Sequence, residues 1–203
     1  MKYFIFLLGS FFLQPTLAQD EREPSEENAF QEDIFRAQQY FSQDSFALAL
    51  FGRKDSGFNE KTFLGFEAIA VKYMKTPMAN ITHYYAGVCF FKIGDYINAL
   101  THLSKFKTKD ATLQAVAYGL TGDVYLEQGK FKDALSYYEK ASNYTKSKSI
   151  SPIFLYKAAL LCEIHFPETD QAKTFCAQLK KHYPIFIQNT TVQIDLIRIT
   201  KEY

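Results

Sequence analysis

The feature that most narrows what this chain can become is that it aligns on itself. Gly87, Gly94 and Ala99 recur 35 residues later as Gly122, Gly129 and Ala134. The aromatic residues keep phase between them, Phe90 with Tyr125 and Tyr96 with Phe131. One shared glycine would carry little information. Three small residues with aromatics in register point to a unit that buries its apolar face by stacking on copies of itself, since self-similarity at a period of about 20–50 residues marks repeat architectures.

Each unit reads as an antiparallel helix pair. In residues 115–141, Tyr118, Thr121, Gly122 and Tyr125 recur at helical spacing. Gln128-Gly129-Lys130 then supplies a glycine stop, and Phe131, Ala134, Leu135, Tyr138 and Ala141 form a returning apolar stripe. Gly122 and Ala134 are expected to let the two backbones approach, with Tyr125 and Phe131 filling the wedge beside the turn. A bulky side chain at Gly87, Ala99, Gly122 or Ala134 is expected to cost about 1–3 kcal/mol through overpacking.

The string G-x2-Y-x3-G-x-F-x2-A-x3-Y-x2-A at residues 122–141 resembles the tetratricopeptide repeat. Residues 87–103 are similar, with Phe106 where that family has alanine. A third copy covers 152–184, with Ala158, Ala159 and Leu160, then Ala172 and Leu179, and Tyr183-Pro184 at its end. It lacks the glycines, and the spacing of 38 from Ala134 to Ala172 predicts an insertion in the 145–151 loop. Upstream, Gly52 lies 35 residues before Gly87, and residues 63–74 followed by Pro77 resemble the second helix of a degenerate first repeat. The loop 53–61 would break that unit's first helix. Downstream, Asn189 is placed to cap a last helix with Val192, Leu196 and Ile199 inward, although the β-branched run there also suits a strand. The resemblance implies an all-α fold, a right-handed superhelix of antiparallel helix pairs, with repeats at 45–78, 80–113, 115–148 and 152–185 and a capping segment at 186–203.

Residues 1–18 read as a secretory signal. Lys2 gives a positive start, residues 4–13 an apolar stretch, and Thr16-Leu17-Ala18 a cleavage site before Gln19. A retained anchor is the competing reading, but the apolar stretch is half the roughly 20 residues a bilayer requires, and Pro15 prevents its extension. Residues 19–33 set seven acids against Arg22 and read as an acidic flexible tether. Export predicts an oxidising compartment, the periplasm or the outside. Even so, Cys89, Cys162 and Cys176 form neither an even set nor a metal spacing and read as small core residues.

No constellation for catalysis stands out. His83, His102, His165 and His182 have no ligand spacing, and neither G-x-S-x-G nor a glycine-rich phosphate loop occurs. Asp123 and Glu127, at i and i+4, could pair as carboxylates or ligate a metal, but read better as solvated acids on a helix face. A net charge of +1 without basic clusters lacks the footprint of nucleic-acid binding. The expectation is a protein that is not an enzyme and needs no cofactor or metal.

The family resemblance also implies a concave groove lined by first helices. Carried over residue by residue, the partner-binding positions are Ile81, Tyr84, Val88, Phe91 and Lys92, then Val116, Gly119, Asp123, Leu126 and Glu127. Their chemistry suits an apolar or amphipathic protein segment with a basic flank, and departs from the lysine- and arginine-lined grooves that grip a C-terminal carboxylate. The same spacing equally suits Tyr84, Val88 and Phe91 packed on a neighbouring helix. The run 75–80 leading into Tyr84-Tyr85-Ala86-Gly87 resembles bacterial envelope proteins of the YfgM-like group, whose members usually keep a membrane helix where this chain has the cleavable signal. What this implies is an exported scaffold or adaptor, chaperone-like, holding another protein or peptide segment. The alternative is a structural subunit of an envelope assembly that acts by self-association, with oligomeric size as the discriminator.

Overall fold

The computed structural model describes residues 25–54 and 62–201, and among them the fold is all-helical apart from two very short strands. The order is α1 (Glu26–Ser42), α2 (Phe46–Phe51), β1 (Gly52–Arg53), β2 (Phe63–Leu64), α3 (Phe66–Lys72), α4 (Ala79–Lys92) and α5 (Tyr96–Lys105). It continues with α6 (Ala111–Glu127), α7 (Phe131–Tyr144), α8 (Ser151–His165), α9 (Gln171–His182), a 3-10 turn (Phe186–Gln188) and α10 (Thr190–Thr200). Successive helices pack on their neighbours in hairpins: α4 on α5, α6 on α7 and α8 on α9.

Two of these hairpins close with the same turn. Gly94 N–H donates to the Phe91 carbonyl and Asp95 N–H to that of Phe90; Gly129 and Lys130 repeat the pattern onto Leu126 and Tyr125. Both glycines sit at positive φ, 84° and 69°, which a Cβ would disfavour. Across each pair the backbones meet at glycine as well. A Cβ on Gly87 would lie 2.8 Å from Leu103, and one on Gly122 2.7 Å from the Tyr138 ring and 3.2 Å from the Ala134 carbonyl.

The same turn occurs a third time, where no glycine marks it. Asp44 N–H donates to the Phe41 carbonyl and Ser45 N–H to that of Tyr40, with Asp44 at φ 56°. Asp is among the few residues that tolerate this left-handed conformation. The first hairpin is therefore α1–α2, and it begins in the segment expected to be a tether. Residues 26–33 are helical because Phe30, Ile34 and Ala37 bury one face, Ser25 caps the first turn, and Glu26 and Glu27 sit at the positive end of the helix dipole. The expected signal segment 1–18 and residues 19–24 lie outside the described residues.

Two further expectations for this region need correction. Gly52 is not the counterpart of Gly87: it lies at the end of α2, at φ 71°, and opens a two-residue antiparallel ladder in which Gly52 faces Leu64 and Arg53 faces Phe63. Most of the loop expected at 53–61 lies outside the described residues, at 55–61, but it falls after α2 and before α3 and so not in the hairpin's first helix. A Cβ on Gly65 would overlap the Leu50 carbonyl, so only glycine fits there. Lys72 Nζ and Tyr73 Oη both donate to Asp33, at 2.6 and 2.8 Å, and tie α3 to α1.

In the third hairpin the extra length is divided. The connection 145–150 has one residue more than 106–110, while the turn 166–170 has two more than 93–95 and 128–130. Asn189 caps α10 by accepting from the N–H groups of Thr191 and Val192, and Val192, Leu196 and Ile199 face inward, so that segment is helix and not strand.

The apolar interior falls into two clusters. One gathers α1 to α5 around Phe66, Leu50, Ile69 and Cys89 and reaches Val124 of α6. The other gathers α7 to α10 around Tyr138, Phe154, Cys162, Cys176 and Leu179. Helix α6 contributes to both, with Val124 in the first and Tyr118, Tyr125 and Leu126 against the second.

Candidate functional site

The positions carried over from the family resemblance do not form one surface. Ile81, Tyr84 and Phe91 on α4 are partly buried against the N-terminal cluster. Tyr84 meets Tyr85 and Phe106 ring to ring at 5.8 and 5.2 Å, and burial pushes its phenol pKa up. Phe91 lies 6.2 Å from the Tyr96 ring, across the hairpin. Val88 is half-buried, and Lys92 is exposed with its ammonium 5.7 Å over the Phe46 ring of α2. On α4, then, the aromatic positions pack onto other helices.

On α6 the outcome is divided. Val116 is half-buried, and Gly119 is wholly covered, because a Cβ there would overlap the Phe154 ring of α8. Asp123, Leu126 and Glu127 remain at the surface to different degrees. Glu127 is exposed. Asp123 is not a solvated acid: it accepts from Tyr138 Oη at 2.7 Å and from Lys157 Nζ at 2.7 and 2.8 Å. Tyr138 is almost fully buried, and burial together with the adjacent Asp123 carboxylate raises its pKa, so it remains a neutral donor.

Asp123 and Leu126 open onto a cleft of about 190 Å³ between α6, α7 and α8. Leu160, Leu161 and Ile164 of α8 form its apolar wall, and His165 stacks on Phe131 at its end with ring centroids 3.5 Å apart. Ile164 is 66% exposed beside the cleft. Phe131 and Tyr125 both pack against the C-terminal cluster, and Tyr125 lies 5.4 Å from the Tyr137 ring. The α8 residues carry the readable signal of Lys157, Leu160, Leu161 and Ile164 at i, i+3, i+4 and i+7. Sequence reasoning misses them because the third repeat lacks the glycines that set the register for carrying positions over.

Elsewhere, His83 and His102 share a hydrogen bond between their Nδ1 atoms at 3.2 Å across α4–α5. Burial, then the paired imidazole and Lys105, lowers His102 to about 4, and burial and Lys105 also lower His83. Burial pushes the Cys89 and Cys162 thiols up to about 12 and about 11, so neither is a reactive thiolate near neutral pH. Among the described residues no group of three or more His, Cys, Asp or Glu could hold a metal ion, and no helix is long and apolar enough to cross a membrane. No protein-family model, curated protein or solved structure matches the chain.

Proposed function

We propose that this chain is an exported scaffold of the tetratricopeptide-repeat kind that holds an amphipathic segment of another protein in the cleft between α6 and α8. The observation that carries the reading is the cleft itself: an apolar wall of Leu126, Leu160, Leu161 and Ile164 beside the Asp123–Lys157 pair, with Glu127 exposed one turn from Asp123. A ligand helix or strand would cover the exposed Ile164 with its apolar side, and the exposed acid favours a basic flank. The shared turn chemistry of α1–α2, α4–α5 and α6–α7 supports stacked helix pairs, and the apolar stretch before Ala18 supports export. Apolar burial of such a wall is worth about 25 cal/mol per Å² before the entropic cost of ordering the ligand, so the cleft alone suits a transient partner.

The test is capture of partners from the native host on immobilised protein, comparing wild type with Ile164→Asp. Residue 164 is exposed, so the variant should retain wild-type helicity by circular dichroism. A partner retained by wild type and lost from the variant supports the reading. Capture that is unchanged removes the cleft as the binding surface.

A second reading, self-association, is favoured by one observation. Ile194 and Ile197, three residues apart on α10, are 60% and 45% exposed, and Ile185 just before that helix is 77% exposed. Sedimentation velocity across a hundredfold range of concentration separates the two readings, since association through α10 would give a size that falls on dilution and collapses to monomer in Ile194→Lys.

A further inference from the structure

Helix α6 lines a cavity on each of two faces. At 100° per residue, Gln114, Tyr118 and Tyr125 lie on the side opposite Asp123. They line a separate pocket of about 240 Å³ between α5, α6 and α7. Three tyrosine rings, Tyr118, Tyr125 and Tyr137, wall it, Lys107 and Lys140 stand at its rim, and among the described residues no Asp or Glu lines it.

The charged groups that line this pocket, Lys107 and Lys140, are both cations. Gln114 is 2% exposed, and its Oε1 accepts from the Thr108 N–H at 2.9 Å. That bond fixes the orientation of the amide, because only the oxygen can accept, and leaves the Nε2 hydrogens as what Gln114 offers to the pocket. The two cations at the rim and the amide donor together favour a ligand that accepts. The Lys140 ammonium lies 3.9 Å over the Tyr118 ring and 5.7 Å from the Tyr137 ring, which holds it at the mouth without neutralising it. Lys107 Nζ donates to the Ser104 carbonyl at 2.9 Å and keeps its charge beside the same opening.

We infer that this pocket binds a small flat carboxylate: an aromatic acid whose ring lies among the three tyrosines and whose carboxylate accepts from Gln114 Nε2 and the two ammonium groups. The volume is below the roughly 300 Å³ at which drug-sized sites begin, so the ligand is a free acid of about ten non-hydrogen atoms. Flat rings provide offset and edge-on contacts for another ring, and ammonium–carboxylate hydrogen bonds are the stronger, charge-assisted kind. The inference does not depend on the cleft at Ile164, which opens beside Asp123 on the other side of α6.

The test is a titration of the ¹⁵N-labelled full chain with phenylacetate, read at the side-chain amide of Gln114. The expected result is a saturable shift of those two NH signals. Phenylacetamide, which keeps the ring and loses the charge, and acetate, which keeps the charge and loses the ring, should each bind at least about tenfold more weakly. Lys140→Gln should weaken phenylacetate by about tenfold, and Lys132→Gln, on α7 but outside the pocket, should leave it unchanged. Absence of a saturable shift at Gln114, equal binding of phenylacetamide, or an unaltered affinity in Lys140→Gln would each overturn the assignment. Because Lys140 is an exposed residue, its substitution leaves the fold to report cleanly.

Discussion

At the scale of single residues, the glycines of α6 divide between two jobs that look alike in sequence. Gly122 admits the Tyr138 ring from the helix's own hairpin partner, and its spacing to Gly87 announces that contact. Gly119 admits Phe154 from the next hairpin. No internal repeat marks that position, since Tyr84 stands 35 residues before it, and family resemblance alone puts it in a groove. The ring of Phe154 is itself buried, with Tyr138 stacked beside it at 6.4 Å, so it has little room to retreat. Gly119→Ala is expected to lower stability by about 1–3 kcal/mol through overpacking, seen as a lower urea midpoint at unchanged slope. Gly129→Ala makes the contrasting case. Nothing lies within 4 Å of a Cβ there, so the loss should be confined to the positive φ, about 1 kcal/mol. If Gly119→Ala proves no worse than Gly129→Ala, the close packing of α6 on α8 is not what holds the two hairpins together.

At the scale of elements, the hairpins are legible through their turns and not through their faces. The helices α4, α6 and α8 are apolar nearly all round because they pack on two sides, so periodicity alone does not separate surface from core. Gly94 and Gly129 locate two hairpins; Asp44 adopts the same conformation without glycine, and so residues 26–33, the start of α1, read in sequence as acidic tether although Phe30 stands at helical spacing from Ile34 and Ala37. The acids that suggest disorder flank a helix whose other side is buried. The α4–α5 hairpin carries a further consequence that no motif foretells. His83 and His102 sit 19 residues apart and meet only once the hairpin closes. With His102 lowered to about 4 by burial, by His83 and by Lys105, the folded protein keeps that imidazole neutral where the unfolded chain, with a pKa of about 6.5, takes up a proton. The stabilisation is full above about pH 6.5 and is lost as pH falls toward about 4. Between pH 7 and pH 5 this one group should remove on the order of 1–2 kcal/mol of stability. Urea midpoints measured at both pH values for wild type and His102→Gln check this: the wild type should lose more on acidification, and carboxylates such as Asp195 that titrate in both proteins cancel in the difference. Parallel loss in the two would show that His102 is hydrated and unperturbed.

At the scale of the whole molecule, the division of the interior into two apolar clusters sets how the chain should come apart. In structures where each helix pair contacts chiefly its neighbours, stability is the sum of local terms and interface terms, and cooperativity is limited by the weakest interface. Here α6 is the shared element. It joins the first cluster through Val124 and the second through Tyr118, Tyr125 and Leu126, so unfolding that starts at the C-terminal end has a natural place to stop. Leu179 of α9 is fully buried in the second cluster and has no part in the first. Leu179→Ala should remove about 2–5 kcal/mol from the elements that depend on that cluster. Hydrogen exchange read by peptide should therefore speed up over α8, α9 and α10, while peptides from α4 keep wild-type protection, with α6 intermediate. Uniform acceleration across all helices would mean that the two clusters unfold as one unit. In that case the interface through α6 is stronger than either cluster alone, and a ligand in the cleft between α6 and α8 would stabilise the entire chain instead of only its C-terminal half.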